Sequence, residues 1–239
     1  MIALSQSALN TFRDCPKAYE FYRTKKQGMF WDFDVLDIGK YVHKALEDYY
    51  KKSFLVKGDK DDVLLESYYW LKKIWDIKFP PEHLKKAYTC LENHAKWEEK
   101  NINNGISTKP LVEVETTQNG YHGIIDYVDL PNDKVIDWKT NKWATLSYDY
   151  RMQAAIYKEL YDGKFNRKLT HFYFFFLYPN EWRTVKYDTE KQKKVKEEVE
   201  KLKKEAQECY DNGEFPKEPR TNKMCENCLY KYYCLVQGL

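Results

Sequence analysis

Two aspartates and a lysine stand where strands are expected and where charge is unwelcome. Asp126 ends the run Gly123-Ile124-Ile125-Asp126, and Asp137 and Lys139 belong to Val135-Ile136-Asp137-Trp138-Lys139. Side chains alternate between the two faces of a strand. Asp126 is therefore expected to share a face with Ile124 and Val128, and Asp137 with Lys139. With a turn through Leu130 to Asp133, Asp129 faces Lys134 and, counting back, Asp126 faces Asp137. Like charges opposed across a ladder destabilise it. A hard divalent ion would relieve them, because paired carboxylate oxygens suit Mg2+ or Mn2+. The plainer alternative is a salt bridge from Lys139, which at a surface contributes little.

Thiols form a second constellation. Cys225, Cys228 and Cys234 are spaced C-x2-C-x5-C near the end of the sequence. Three such thiolates can bind one metal centre, which usually wants a fourth. Cys15, in the turn-like Asp14-Cys15-Pro16, is the natural donor. Such a centre would join the N-terminal segment to the C-terminal one and close the chain into a single domain. A structural Zn2+ held by four thiolates fits the C-x2-C pair. Cys90 and Cys209 lie in helical patterns and are read as structural.

These groups need a scaffold. The chain has 239 residues, 43% hydrophobic, 32% charged and 17% aromatic with 21 Tyr, which is enough for one sizeable domain or two small ones. A net charge of +3 argues against a coat protein that binds DNA by charge alone. Aromatic residues can stack on unpaired bases, but most are expected in the core. No apolar run is long enough to span a membrane. Met1-Ile2-Ala3-Leu4-Ser5-Gln6-Ser7 does not read as a signal peptide, so a cytoplasmic, reducing setting is expected, with thiols rather than disulfides.

Ser5-Gln6-Ser7 reads as an N-cap region, followed by a helix running through Leu9 and Phe12, past Cys15-Pro16, to Tyr19 and Tyr22. A second helix follows Asp37, with Val42, Ala45, Leu46 and Tyr49 at helical spacing. Amphipathic helices are expected over Asp61 to Lys78 and Pro81 to Asn101, and a loop over Gly105 to Pro110. Leu111 to Thr117, Tyr121 to Asp129 and Lys134 to Lys139 read as strands, punctuated by Asn119-Gly120 and Pro131-Asn132-Asp133. A helix over Tyr148 to Tyr161 precedes strands over Leu169 to Tyr178 and Trp182 to Tyr187. The helix from Thr189 to Asn212 carries mixed Lys and Glu, most simply a solvated face of ion pairs. Gly213 to Lys223 is a Pro-rich loop leading into the cysteines. This order predicts an α/β (α+β) fold with a mixed central β-sheet flanked by helices. The expected layout is a single domain over 1–239: a helical part over 1–105, a sheet over 106–190, and a C-terminal helix with cysteines over 191–239.

Together the motifs resemble a known family. Gly123-x-x-Asp126, Asp137-Trp138-Lys139-Thr140 and Gln153-x-x-x-Tyr157 look like the PD-(D/E)XK nuclease superfamily in its RecB-like branch. Gly39-x-x-x-His43 matches the upstream histidine of that branch, and Ser5-x-x-x-Leu9-x-x-Phe12-x-x-Cys15-Pro16 matches its N-terminal signature. The C-terminal cysteines match members with an iron–sulfur cluster, and the chain is most similar to the CRISPR-associated RecB-like exonucleases, with AddB-type nuclease domains next.

The resemblance implies a restriction-endonuclease-like core and roles for particular residues. Asp126, Asp137, His43 and the backbone carbonyl of Trp138 would hold Mg2+ or Mn2+, the imidazole favouring Mn2+. Lys139 would orient the attacking water and stabilise charge on the phosphate. Gln153 and Tyr157 would contact DNA or brace Lys139. Glu113, in preference to Glu115, would supply the acid that the family carries on the preceding strand. Cys15, Cys225, Cys228 and Cys234 would hold a [4Fe–4S] cluster, which the x5 gap and the distance of Cys15 suit better than zinc. The implied activity is a deoxyribonuclease, a single-strand exonuclease with endonuclease action as a variant, in CRISPR adaptation, antiviral defence, or recombination and repair. Its partners would be DNA that is single-stranded or has free ends, and a CRISPR integrase or a helicase. A non-catalytic iron–sulfur DNA-binding subunit of an integrase or helicase-nuclease complex is the alternative, and the complete Asp126, Asp137, Lys139 set counts against it.

Overall fold

Local sequence sets the ends of the elements. The computed structural model of the protein describes residues 2–24, 34–75, 80–105 and 109–236. Residues 76–78 of the helix expected over Asp61 to Lys78 and 106–108 of the expected loop lie outside these. Ser5 caps α1 (Gln6–Asp14) by accepting from the Ala8 amide. The single helix expected across Cys15 is in fact two. Cys15 is extended (φ −168°, ψ 119°), and Pro16 begins α2 (Pro16–Arg23). Proline starts a helix well but excludes the helical region for the residue before it.

α3 (Asp34–Lys52), α4 (Lys60–Ile74) and α5 (Pro81–Asn103) follow, α4 opened by a capping box between Asp59 and Asp62. β1 (Leu111–Gln118) and β2 (Tyr121–Asp129) are joined by Asn119-Gly120, both at positive φ (52° and 78°), as a tight hairpin requires. β3 (Lys134–Lys139), α6 (Tyr148–Phe165), β4 (His171–Phe176), β5 (Glu181–Lys186) and α7 (Glu190–Asn212) complete the order expected. Two short helices not legible in the sequence, α8 (Asn222–Glu226) and α9 (Lys231–Val236), carry Cys225 and Cys234, with Cys228 between them.

The sheet runs β1-β2-β3-β4-β5, antiparallel except for the β3–β4 pair, which is parallel and bridged by α6. It is the mixed sheet that was expected. Alternation along β4 sends Phe172, Phe174 and Phe176 to one face, and Tyr173 and Phe175 to the other. The first face is covered by α1, α6 and α7, with Leu9, Phe12, Ile156, Leu160 and Val199 in its core. The second is covered by α3, α4 and α5, with Val42, Leu46, Tyr50, Leu71 and Leu91. No helix among the described residues is long and apolar enough to cross a membrane.

The termini meet through the backbone. The Lys17 amide donates to Pro216 O at 3.1 Å, and the Arg220 amide to Asp14 O at 2.9 Å. α7 carries its charges as the sequence suggested: Lys193 pairs with Glu190, Lys196 with Glu159 and Lys203 with Glu200.

Candidate active site

The β2–β3 ladder follows the expected register, Asp129 opposite Lys134 and Tyr127 opposite Ile136, and stops there. One step further stand Asp126 and Asp137. At this point the Trp138 amide donates to the Asp126 carboxylate (Oδ2, 2.7 Å). Asp126 is thus fixed beside the following strand, and both aspartates are almost wholly buried.

Strict alternation fails here, contrary to the sequence reading that put Asp126 on a face with Ile124 and Val128. Ile125 and Val128, three apart, both enter the α6-side core, while Tyr127 enters the other. On β1, Val112 joins the α3-side core and Val114 packs on the α6 side. Both strands change face at Glu113 and Asp126. The cause lies in Glu113, which holds φ at 49° in mid-strand. A left-handed non-glycine residue carries strain of about 1–3 kcal/mol and tends to occur at functional positions. The twist turns Glu113 to the same point as Asp126.

His43 of α3 completes the group. Its Nδ1 lies 3.4 Å from Asp126 Oδ1 and 4.0 Å from Glu113 Oε1, and its Nε2 is 2.9 Å from Trp138 O. His43, Glu113 and Asp126 each offer an atom within 4.8 Å of the others. Glu113 Oε1 is buried without a hydrogen-bond partner. Two hard oxygens and an imidazole, one oxygen left unsatisfied, suit a hard to borderline divalent cation. The electrostatics agree. Burial, reinforced by Asp126, lifts the Glu113 carboxyl to about 7. Burial would lower His43, but Asp126, Asp137 and Glu113 outweigh it and raise the imidazole to about 9.

Asp137 and Lys139 face α6, where Gln153 meets both. Gln153 Nε2 donates to Asp137 Oδ1 at 2.5 Å, and Lys139 Nζ donates to Gln153 Oε1 at 3.0 Å. Lys139 Nζ also lies 2.7 Å from Asp137 Oδ2. Burial lifts the Asp137 carboxyl to about 6 against the pull of Lys139. Burial opposes the charge on Lys139, and Asp137 and Asp126 more than restore it, so its pKa is raised. The tight three-ligand group therefore contains Glu113 rather than Asp137, which is engaged by Lys139 and Gln153. Tyr157, a turn beyond Gln153, donates to Ile124 O at 2.8 Å and so braces β2 rather than Lys139. Glu115 lies apart, largely exposed, 3.8 Å from His122.

Two glycines let the helices come this close. A Cβ on Gly123 would lie 2.8 Å from Leu160 Cδ1 and 3.2 Å from Tyr157 Cε1, and one on Gly39 would lie 3.3 Å from Thr140 Oγ1. One contributor was missed in the sequence: Tyr150, whose ring lies 4.9 Å from Lys139 Nζ. Its signal was available, since it stands one turn before Gln153 on the same helix.

Cys15, Cys225, Cys228 and Cys234 line one cavity of about 710 Å³ together with Tyr22 and Tyr230. Burial raises the Cys228 thiol, although the Tyr230 amide donates to its sulfur at 3.4 Å. Among the described residues no three of these sulfurs lie all within 4.8 Å of one another. Cys90 is buried in the α3-side core and Cys209 packs on the other core, as expected of structural thiols.

No curated protein matches the chain. The sequence model of the PD-(D/E)XK nuclease superfamily matches residues 3–235, spanning all four cysteines, His43, Glu113, Asp126, Asp137, Lys139 and Gln153. On this match and this geometry, the chain belongs to the PD-(D/E)XK nuclease superfamily.

Proposed function

We propose that the protein is a divalent-metal-dependent deoxyribonuclease, an exonuclease on single-stranded DNA or free ends, built as one nuclease domain over 1–239. Superfamily members are generally nucleases that use divalent metals and act on DNA. The observation that carries the reading is the buried pairing of Lys139 with Asp137 and Gln153 beside the His43, Glu113 and Asp126 group. His43, Glu113, Asp126 and the Trp138 carbonyl would hold Mg2+ or Mn2+, with Asp137 reaching it from across the strand. The bound cation would acidify water and offset charge on the phosphate.

The chain's own groups do the rest. Lys139, held cationic by Asp137, donates to the phosphoryl oxygen as charge develops there. Gln153 fixes the ammonium and the carboxylate relative to one another. The Trp138 amide keeps Asp126 turned inward. Water attacks phosphorus, the P–O bond to one nucleoside breaks, and the proton passes to the departing oxygen.

The four thiols are proposed to hold a [4Fe–4S] cluster. A single tetrahedral zinc, with Zn–S near 2.3 Å, needs sulfurs about 3.8 Å apart. The sulfurs do not cluster that closely among the described residues, so the support for the iron–sulfur reading is the C-x2-C-x5-C spacing with Cys15 and the resemblance. Resemblance to the CRISPR-associated RecB-like exonucleases supports a role in spacer acquisition or in recombination and repair, beside an integrase or a helicase.

The test is anaerobic purification with a visible spectrum and iron and zinc analysis, then cleavage of end-labelled single and double strands with Mg2+, Mn2+ or chelator. Metal-dependent cleavage is expected, lost in Lys139→Ala with the circular dichroism spectrum unchanged. Wild-type rates in Lys139→Ala would refute the catalytic assignment.

A further inference from the structure

The segment between β3 and α6 carries the most exposed large hydrophobic side chain among the described residues, Trp143, 72% exposed. It is not exposed because its loop is loose. Asn141 accepts a hydrogen bond from Tyr150 OH at 3.2 Å, and Tyr150 itself covers Lys139. Thr140 lies against Gly39. Ala144 and Leu146 pack on the α6-side core. The loop thus partly buries Ala144 and Leu146 and holds its largest apolar residue outward, four positions after Lys139.

Lys142 adds a charge. Its Nζ lies 5.3 Å from the Trp143 ring centroid, and among the described residues no carboxylate pairs with it. An indole face beside an unpaired ammonium is the combination that grips single-stranded nucleic acid: the ring stacks on a base and the cation meets the backbone. Within a paired duplex, away from its ends, each base face is covered by its neighbours. The juxtaposition therefore selects an unpaired nucleotide.

We propose that Trp143 stacks on an unpaired nucleobase next to the scissile phosphate and that Lys142 contacts an adjoining phosphate. The two residues together make the substrate a single strand. This rests on the nuclease reading above and names the residues by which the same site would select a single strand.

The test uses the full chain with Mn2+ and a fluorescein-labelled single-stranded oligonucleotide. Trp143→Ala is expected to raise KM roughly 5- to 100-fold, the range for losing one stacked base, and Trp143→Phe to recover most of the loss. Tyr69→Ala on α4, where Lys73 lies 4.4 Å from an exposed ring in the same manner, is expected to leave KM unchanged. A single abasic nucleotide scanned along the substrate should cost the wild type at one position and cost Trp143→Ala nothing further there. A wild-type KM in Trp143→Ala, or an abasic penalty equal in both proteins, would overturn the proposal and leave the nuclease reading standing. Absence of cleavage by the wild type with any divalent metal would remove both.

Discussion

Glu113→Gln should make the metal-free protein more stable and its cation binding weaker. The carboxyl is raised from its ordinary 4.5 to about 7 by burial and by Asp126. A carboxyl with a raised folded-state pKa costs stability as pH rises: the penalty begins near the unfolded value and is complete just above the folded one. At about 1.4 kcal/mol for each tenfold change in proton affinity, ionised Glu113 would cost ~3 kcal/mol at pH 8. Its side chain is 22% exposed, so solvent screening trims this to about 1–2 kcal/mol. Glutamine keeps the shape and the left-handed backbone but has nothing to ionise.

Urea denaturation in EDTA at pH 8 should therefore show the variant more stable by that amount. At pH 5.5 the gain should fall to roughly half or less, because the wild-type carboxyl is then largely protonated in the folded state. Saturating Mn2+ should reverse the order, since a ligand stabilises the form that binds it more tightly. A variant no more stable than wild type at pH 8, or a gain independent of pH, would refute the assignment of Glu113 as a strained, cation-seeking acid.

Three further outcomes follow from the same geometry. Gln153→Ala should lower kcat about 10- to 100-fold with a smaller change in KM, since Lys139 and Asp137 lose their common partner; steady-state cleavage kinetics measure both. Affinity for Mn2+ should rise from pH 6 to pH 8 with release of protons, because His43, near 9, Glu113, near 7, and Asp137, near 6, must give them up to coordinate. Titration calorimetry in buffers of different ionisation enthalpy counts those protons. Gly123→Ala should cost about 1–3 kcal/mol by thermal melting, as the new methyl drives α6 from β2 at Leu160 and Tyr157.

The sheet was legible because its strands are rich in β-branched and aromatic residues and its turns carry Asn-Gly and Pro-Asn-Asp. Counting back from Asp129 and Lys134 gave the register that the ladder follows as far as Tyr127 and Ile136, one step short of Asp126 and Asp137. What the count could not reach was the change of face at Glu113, since an acid gives no sign of left-handed backbone in a sequence. Glu113, expected only as an accessory acid, consequently stands closest to His43 and Asp126, while Asp137 is engaged by Lys139 and Gln153. The break at Cys15 was missed although Pro16 announces it; the apolar spacing on either side happens to stay in phase for one continuous helix. Tyr150 escaped because an aromatic residue on a buried helix face is ordinarily core, and only Lys139 beneath it gives the ring another part.

The paired peptide contacts of Asp14 and Lys17 with Arg220 and Pro216 bear on how the protein matures. They join residues far apart in the sequence, so they close a long loop and are expected to form late. Closing so large a loop late, when its intervening parts are already ordered, carries little further entropy loss. The thiol-lined cavity is therefore expected to close after the carboxylate group of β1 and β2 is in place. Pulsed hydrogen exchange during refolding should protect the amides of β2 and β3 before those of Lys17 and Arg220.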